Sequence, residues 1–184
     1  MRHLVTFLAF ALSVLFFYML CVRYLKSKWL AALGAVFLVL SPRIFADAFY
    51  NSKDLVFMSF VIINLYTTLR FLESKNFITT LFHAIISAIV IDIRILGIVI
   101  PCFTLLFLFI EYIRSHNQRK KILIITSLYC CFLVAAIILC WPVLWYHPVD
   151  NFILALEEMS KYPWDGNILY LGMNVNAVSL PWHY

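Results

Sequence analysis

Long apolar runs without charge dominate this sequence, and they dictate the solvent in which it can fold. A helix that crosses a bilayer takes about 20 mostly apolar residues. Residues 4–22 supply one run. Residues 29–41 supply a second, short one, which gains length from the stems of flanking lysines or by continuing past Pro42. Residues 55–71 make a third, and residues 122–141 the last. Between these lies an almost continuous apolar stretch, residues 77–113, interrupted by Asp92 and Arg94. As one helix it would be about 55 Å long at 1.5 Å per residue, close to twice the roughly 30 Å hydrocarbon core. It therefore divides into spans 77–91 and 95–113. The composition agrees: 65% of residues are hydrophobic, 12% are charged and mean hydropathy is +0.96, against about 45–50% and about 25% in soluble domains. No water-soluble fold of this size can hide that much apolar surface. The expected fold is an all-α polytopic membrane protein with six transmembrane helices over residues 1–141. Residues 142–184 read as an outer-face loop. Within it, residues 150–161 have helical periodicity with Phe152, Leu156 and Met159 on one face, as in an amphipathic helix lying on the membrane surface.

The charges orient these spans. Nine of the fourteen Lys and Arg fall in one set of loops: Arg23, Lys26 and Lys28, then Arg70 and Lys75, then Arg114, Arg119, Lys120 and Lys121. The positive-inside rule places that set in the cytoplasm and puts the N-terminus and the tail outside. Acids are not used by the rule, yet Asp47, Asp54, Asp92, Asp150, Glu157, Glu158 and Asp165 all fall on the opposite, outer side. Only Glu73 and Glu111 fall near the inner side. The basic clusters read as topology signals, not as a nucleic-acid surface. The N-terminus has a long apolar run and no small-residue cleavage site, so it reads as a span and not as a cleaved signal peptide.

The five cysteines, Cys21, Cys102, Cys130, Cys131 and Cys140, sit inside apolar runs without metal-ligand spacing to a histidine. They read as small buried hydrophobes. His83, alone in the middle of a span, reads as a hydrogen-bonding link between helices. No glycine-rich phosphate loop, zinc motif or nucleophile elbow occurs.

The outer side concentrates the chemistry. Within Ser41–Asp54, Arg43, Asp47, Tyr50, Asn51, Lys53 and Asp54 stand among Phe45 and Phe49. If residues 47–54 are helical, the seven-residue spacing puts Asp47 and Asp54 on one face. Two carboxylates near a cation can hold a divalent metal ion or act as a general base, and the basic side chains can meet a phosphate. The same residues also suit an ordinary interfacial loop, with Asp54 as the N-cap of the third span and Arg43 and Lys53 at headgroup level. Asp92 and Arg94 are a turn with its two charges partly paired, or they present an arginine to a lipid-linked phosphate. The tail carries the aromatic–proline clusters Trp141–Pro148, Tyr162–Gly166 and Leu180–Tyr184, including Trp182 and His183. Such clusters form interfacial belts and also stack on sugar rings.

Together these features resemble the GT-C class of polyprenyl-phosphate-dependent membrane glycosyltransferases, in particular bacterial relatives of the protein O-mannosyltransferases and the lipid A aminoarabinose transferases. Ser41-Pro-Arg-Ile-Phe-Ala-Asp-Ala-Phe-Tyr-Asn-Ser-Lys-Asp54 is similar to that group's second outer loop, Arg94-Ile-Leu-Gly97 to its Arg-x-x-Gly after a hydrophobic span, and Leu180-Pro-Trp-His-Tyr184 to the aromatic stretch that leads into a later span. The resemblance implies transfer of a sugar from a polyprenyl-phosphate donor to a glycan, lipid or protein acceptor, on the periplasmic or luminal side of a bacterial inner membrane. It implies catalytic roles for Asp54 and Asp47, donor-phosphate contacts from Lys53, Arg94 and Arg43, and substrate contacts from Asn51, Tyr50, Trp182 and His183. The family's catalytic-base aspartate lies on an earlier outer loop, and no Asp or Glu precedes Asp47 here. The resemblance thus implies a fragment truncated at both ends and inactive in isolation. A transporter, a lipid-flipping module or an accessory membrane subunit is the alternative; it calls for polar residues at mid-membrane depth or inverted repeats.

Overall fold

The computed structural model describes residues 2–161 and 166–181. The chain is an all-α polytopic membrane protein. Its helices are α1 (Arg2–Leu25), α2 (Lys28–Leu40), α3 (Pro42–Tyr50), α4 (Asp54–Ser74), α5 (Phe77–Ile93), α6 (Val99–Arg114), α7 (Arg119–Cys140) and α8 (Pro148–Ser160). Among the described residues four helical stretches, His3–Leu25, Asp54–Ser74, Ile95–Arg114 and His116–Cys140, are long and apolar enough to cross a membrane. The pair α2 and α3 makes a fifth if counted as one broken span, and α5 is a shorter apolar helix.

The break between α2 and α3 follows from Pro42. The residue before a proline is pushed out of the helical region, and Ser41 adopts φ −59°, ψ 115°. Proline then starts the next helix at its first position, where its missing N–H costs nothing. The apolar path continues past Pro42, but bent by 63°. The turn from α4 to α5 at the basic end is tight. Lys75 closes α4 in the left-handed region at φ 40°, and Asn76 opens α5 with a capping box to Thr79.

Two clusters hold the bundle. Phe10, Ala48 and Leu55 join α1, α3 and α4. Phe71, Ala84, Ala88, Ile91, Leu108, Ile125 and Tyr129 join α4 to α7. Helix α5 lies deepest, and its Ala84, Ser87 and Ala88 let neighbours approach closely. A polar node sits inside the second cluster. His83 Nδ1 bonds Thr67 Oγ1 at 3.0 Å and His83 Nε2 bonds Thr104 Oγ1 at 3.1 Å, so His83 links α4, α5 and α6. Tyr129 donates to Ser87 Oγ at 3.3 Å, and Ser87 donates to Asn64 Oδ1 at 3.2 Å.

Ion pairs fix which helix ends meet. At the basic end Arg23 of α1 pairs with Glu73 of α4, and Lys75 Nζ lies 2.6 Å from Glu111 of α6. At the other end Asp54, first residue of α4, meets Arg94 just beyond α5. The cysteines are all free, but Cys102, Cys131 and Cys140 lie on the outside of the bundle and not in its core. In a membrane protein that surface is lipid-facing, so a small apolar side chain is satisfied there too.

The tail departs from the expected loop. Asn167–Tyr170 (β1) and Met173–Asn176 (β2) form an antiparallel hairpin around Leu171 and Gly172. Both turn residues have positive φ, 50° and 82°, the requirement of the two-residue turn that matches strand twist.

Candidate functional site

Asp47 and Asp54 do not share a helix. Helix α3 ends at Tyr50 and α4 begins at Asp54, so the expected two-turn face is absent. The cause is Asn51. Its Oδ1 accepts the backbone N–H of Lys53 at 3.3 Å and of Asp54 at 3.0 Å, while its Nδ2 donates to Asp54 Oδ2 at 3.4 Å. Such a side chain offers the backbone an alternative to continuing the helix. Asp54 is accordingly not the N-cap of its helix; Lys53 holds that position and Asp54 lies in the first turn, where a carboxylate is favoured by the helix dipole.

The segment is held by its apolar neighbours. Ala48 is fully buried against α1 and α4. Phe49 stacks on Phe7 with centroids 5.6 Å apart and meets Phe45 edge-on at 5.4 Å. Arg43, Tyr50, Lys53 and Asp54 are left exposed, and Asp47 and Asn51 half-buried.

Arg94 reaches this segment from 40 residues away. It lies beyond the end of α5 in an extended conformation, φ −149° and ψ 126°, and its Nη2 donates to Asp54 Oδ1. Its partner is therefore Asp54 and not Asp92, which sits in the last turn of α5. The extended backbone carries Arg94 away from that turn. The guanidinium also lies over the Phe57 ring, 5.9 Å from the centroid. Asp54 and Phe57 are three residues apart on one face of α4, so one helix supplies both contacts. Nothing in the sequence pattern marks Phe57.

Gly97 explains how the chain turns at Arg94. Its N–H donates to the Arg94 carbonyl at 2.8 Å. A Cβ there would stand 2.7 Å from both the carbonyl oxygen and Cγ1 of Val90. Only glycine allows the short 95–98 helix to fold this tightly onto α5. Gly97→Ala is expected to cost about 1–3 kcal/mol, as overpacking does, and to displace Arg94. Denaturant titration in detergent micelles measures the first effect.

Residues 41–54 together with Arg94 carry three cations and two carboxylates. Arg94 uses one of its five N–H donors on Asp54, and its side chain remains 40% exposed. Arg43 and Lys53 make no ion pair among the described residues. Against them stand Asp54 and Asp47, the latter also without an ion pair among the described residues. Among the described residues no three His, Cys, Asp or Glu side chains converge as metal ligands.

An apolar groove of about 310 Å³ runs between α7 and α8, lined by Ile137, Ile138, Leu144, Val149, Phe152 and others. Trp141 meets Phe152 edge-on at 6.1 Å, and Trp145 Nε1 donates to the Ile138 carbonyl at 2.8 Å, folding the tail back on α7. Trp182 and His183, expected at the substrate, lie outside the described residues.

Compared with known proteins, the sequence matches the family model described as dolichyl-phosphate-mannose-protein mannosyltransferase over residues 2–146, most of its length. No curated protein and no solved structure gives a match.

Proposed function

This chain belongs to the dolichyl-phosphate-mannose-protein mannosyltransferase family, and from that premise we propose that it forms the donor side of a membrane glycosyltransferase site. The donor is a sugar on a polyprenyl phosphate and the acceptor is a hydroxyl of a glycan, lipid or protein. The observation that carries this reading is the contact between Asp54 and Arg94. It joins the two sequence segments whose chemistry suits a lipid phosphate, although 40 residues separate them.

The roles follow from bonding. In the transfer, the acceptor oxygen bonds to the anomeric carbon as the bond from that carbon to the phosphate oxygen breaks. The acceptor proton passes to a carboxylate, and negative charge collects on the departing phosphate. Arg94 and Lys53 meet that charge, with Arg43 as a third candidate, because guanidinium and ammonium donors bind phosphate oxygens strongly. Asp54 aims the guanidinium, and its carboxylate is engaged by that contact. Asp47, without an ion pair among the described residues, suits the proton-accepting role better. The exposed Tyr50 ring offers a face to the sugar, and the groove between α7 and α8 suits the isoprenoid chain. The positive-inside rule puts the site on the periplasmic or luminal side of the membrane, with the N-terminus and tail on that side too.

A transporter, lipid-flipping module or accessory subunit would place its deep polar groups along a wet path. Here Thr67, His83, Ser87 and Thr104 are buried and bonded to one another or to Asn64, which favours the enzyme reading.

Polyprenyl-phosphate binding to the detergent-solubilised chain tests the proposal. Arg94→Ala is expected to weaken it about 10–100-fold, the value of one or two hydrogen bonds to a charged group, and Lys53→Ala about fivefold. Unchanged binding in both variants contradicts the donor site.

A further inference from the structure

The basic end of the bundle carries a second cavity, of about 380 Å³, between α1, the start of α2 and α4. Its lining is sorted by depth. Arg23 lies in the last turn of α1, Lys28 opens α2, and Arg70 lies near the end of α4. One turn deeper on the same helix faces come Met19, four residues before Arg23, and Tyr66, four before Arg70. Tyr66 is held edge-on to Phe16, centroids 5.1 Å apart. Three cations thus ring the mouth, over a wall of ring and thioether.

Two of the three charges are not cancelled by an ion pair among the described residues. Arg23 pairs with Glu73, which offsets it. Lys28 and Arg70 form no ion pair among the described residues. The N-terminus of α2, at Lys28, adds the positive end of a helix dipole.

We infer that this cavity binds the headgroup of an anionic membrane phospholipid, with Lys28 and Arg70 on its phosphate and the first methylenes of an acyl chain against Tyr66 and Met19. Basic pockets between transmembrane helices suit such headgroups. A free phosphate would leave the apolar wall uncovered. A zwitterionic lipid would bring its own cation into a ring of cations. The site lies at the opposite end of α4 from Asp54, so it stands independently of the donor site.

The test uses the full chain in nanodiscs of dioleoylphosphatidylcholine with a minor fraction of dioleoylphosphatidylglycerol, the retained lipid being identified by native mass spectrometry. The wild type is expected to retain phosphatidylglycerol selectively. K28A/R70A should weaken retention about 25-fold, taking about fivefold for each charge. K28R/R70K, which keeps both charges, should retain the lipid, and R94A should leave retention unchanged. Millimolar inorganic phosphate should not displace it. Equal retention of both lipids, normal retention in K28A/R70A, or loss in K28R/R70K as complete as in the alanine pair would overturn the inference. Loss in R94A would assign the lipid to the donor site instead, and displacement by inorganic phosphate would assign the cavity to a free anion.

Discussion

Alanine at Arg94 or at Asp54 is expected to lower sugar transfer about 10²–10³-fold, in membranes that transfer from a polyprenyl-phosphate donor. That is the usual loss when one preorganised group facing developing charge is removed. The two variants differ in how they fail. Arg94→Ala removes the cation itself, so donor binding and turnover both fall. Asp54→Ala leaves the cation but removes the carboxylate that, with the Phe57 ring, sets its position, so turnover falls more than binding. The double variant should then be little worse than Arg94→Ala alone, because residues that act as a unit are non-additive. Stability is not the cause: a pair this exposed contributes at most about 1 kcal/mol. Losses that multiply, with unchanged donor binding, would mean the two residues act separately.

The second large effect lies far from the site. Tyr129→Ala should destabilise the chain by about 3–5 kcal/mol, the range for deleting a buried aromatic side chain. Tyr129 is fully buried. Its ring lies 5.1 Å from His83 and 5.5 Å from Phe71, centroid to centroid, close to parallel with both. In lipid there is little hydrophobic drive to bring helices together, so such packing and the hydrogen bonds around it carry the association. Tyr129→Phe keeps the ring and loses the hydroxyl with its bond to Ser87, so it should cost about 0.6 kcal/mol, the average for a hydrogen bond in membrane bundles. Reversible unfolding in mixed micelles measures both. Equal costs would mean that the hydroxyl, and not the ring, holds the node.

What could be read from the sequence divides along physical lines. Helices in lipid are dictated by composition, so the polytopic all-α fold is written in the apolar runs themselves. His83 was legible because a polar group inside a bilayer must find partners, and it finds Thr67 and Thr104. The family resemblance was legible in Asn51–Asp54 and Arg94–Gly97, and the match over residues 2–146 bears it out. Other features needed three dimensions. The helix break at 51–53 depends on Asn51 bonding forward to Asp54, where simple periodicity puts Asp47 and Asp54 on one face. The partner of Arg94 depends on an extended backbone at a single residue, which favours distant Asp54 over neighbouring Asp92. The hairpin at 167–176 turns on Leu171 in the left-handed region, where a leucine carries no turn signal.

On this proposal the Asn51–Asp54 segment and the Arg94 turn share one surface, facing away from the cytoplasm. Labelling intact cells with a membrane-impermeant maleimide tests it, using Ser52→Cys, Leu96→Cys and Lys26→Cys variants in a background with the five native cysteines replaced by alanine. The expected result is that Ser52→Cys and Leu96→Cys label from outside, while Lys26→Cys labels only after permeabilisation. Labelling of Ser52→Cys and Leu96→Cys from opposite sides, or of both only after permeabilisation, would contradict it.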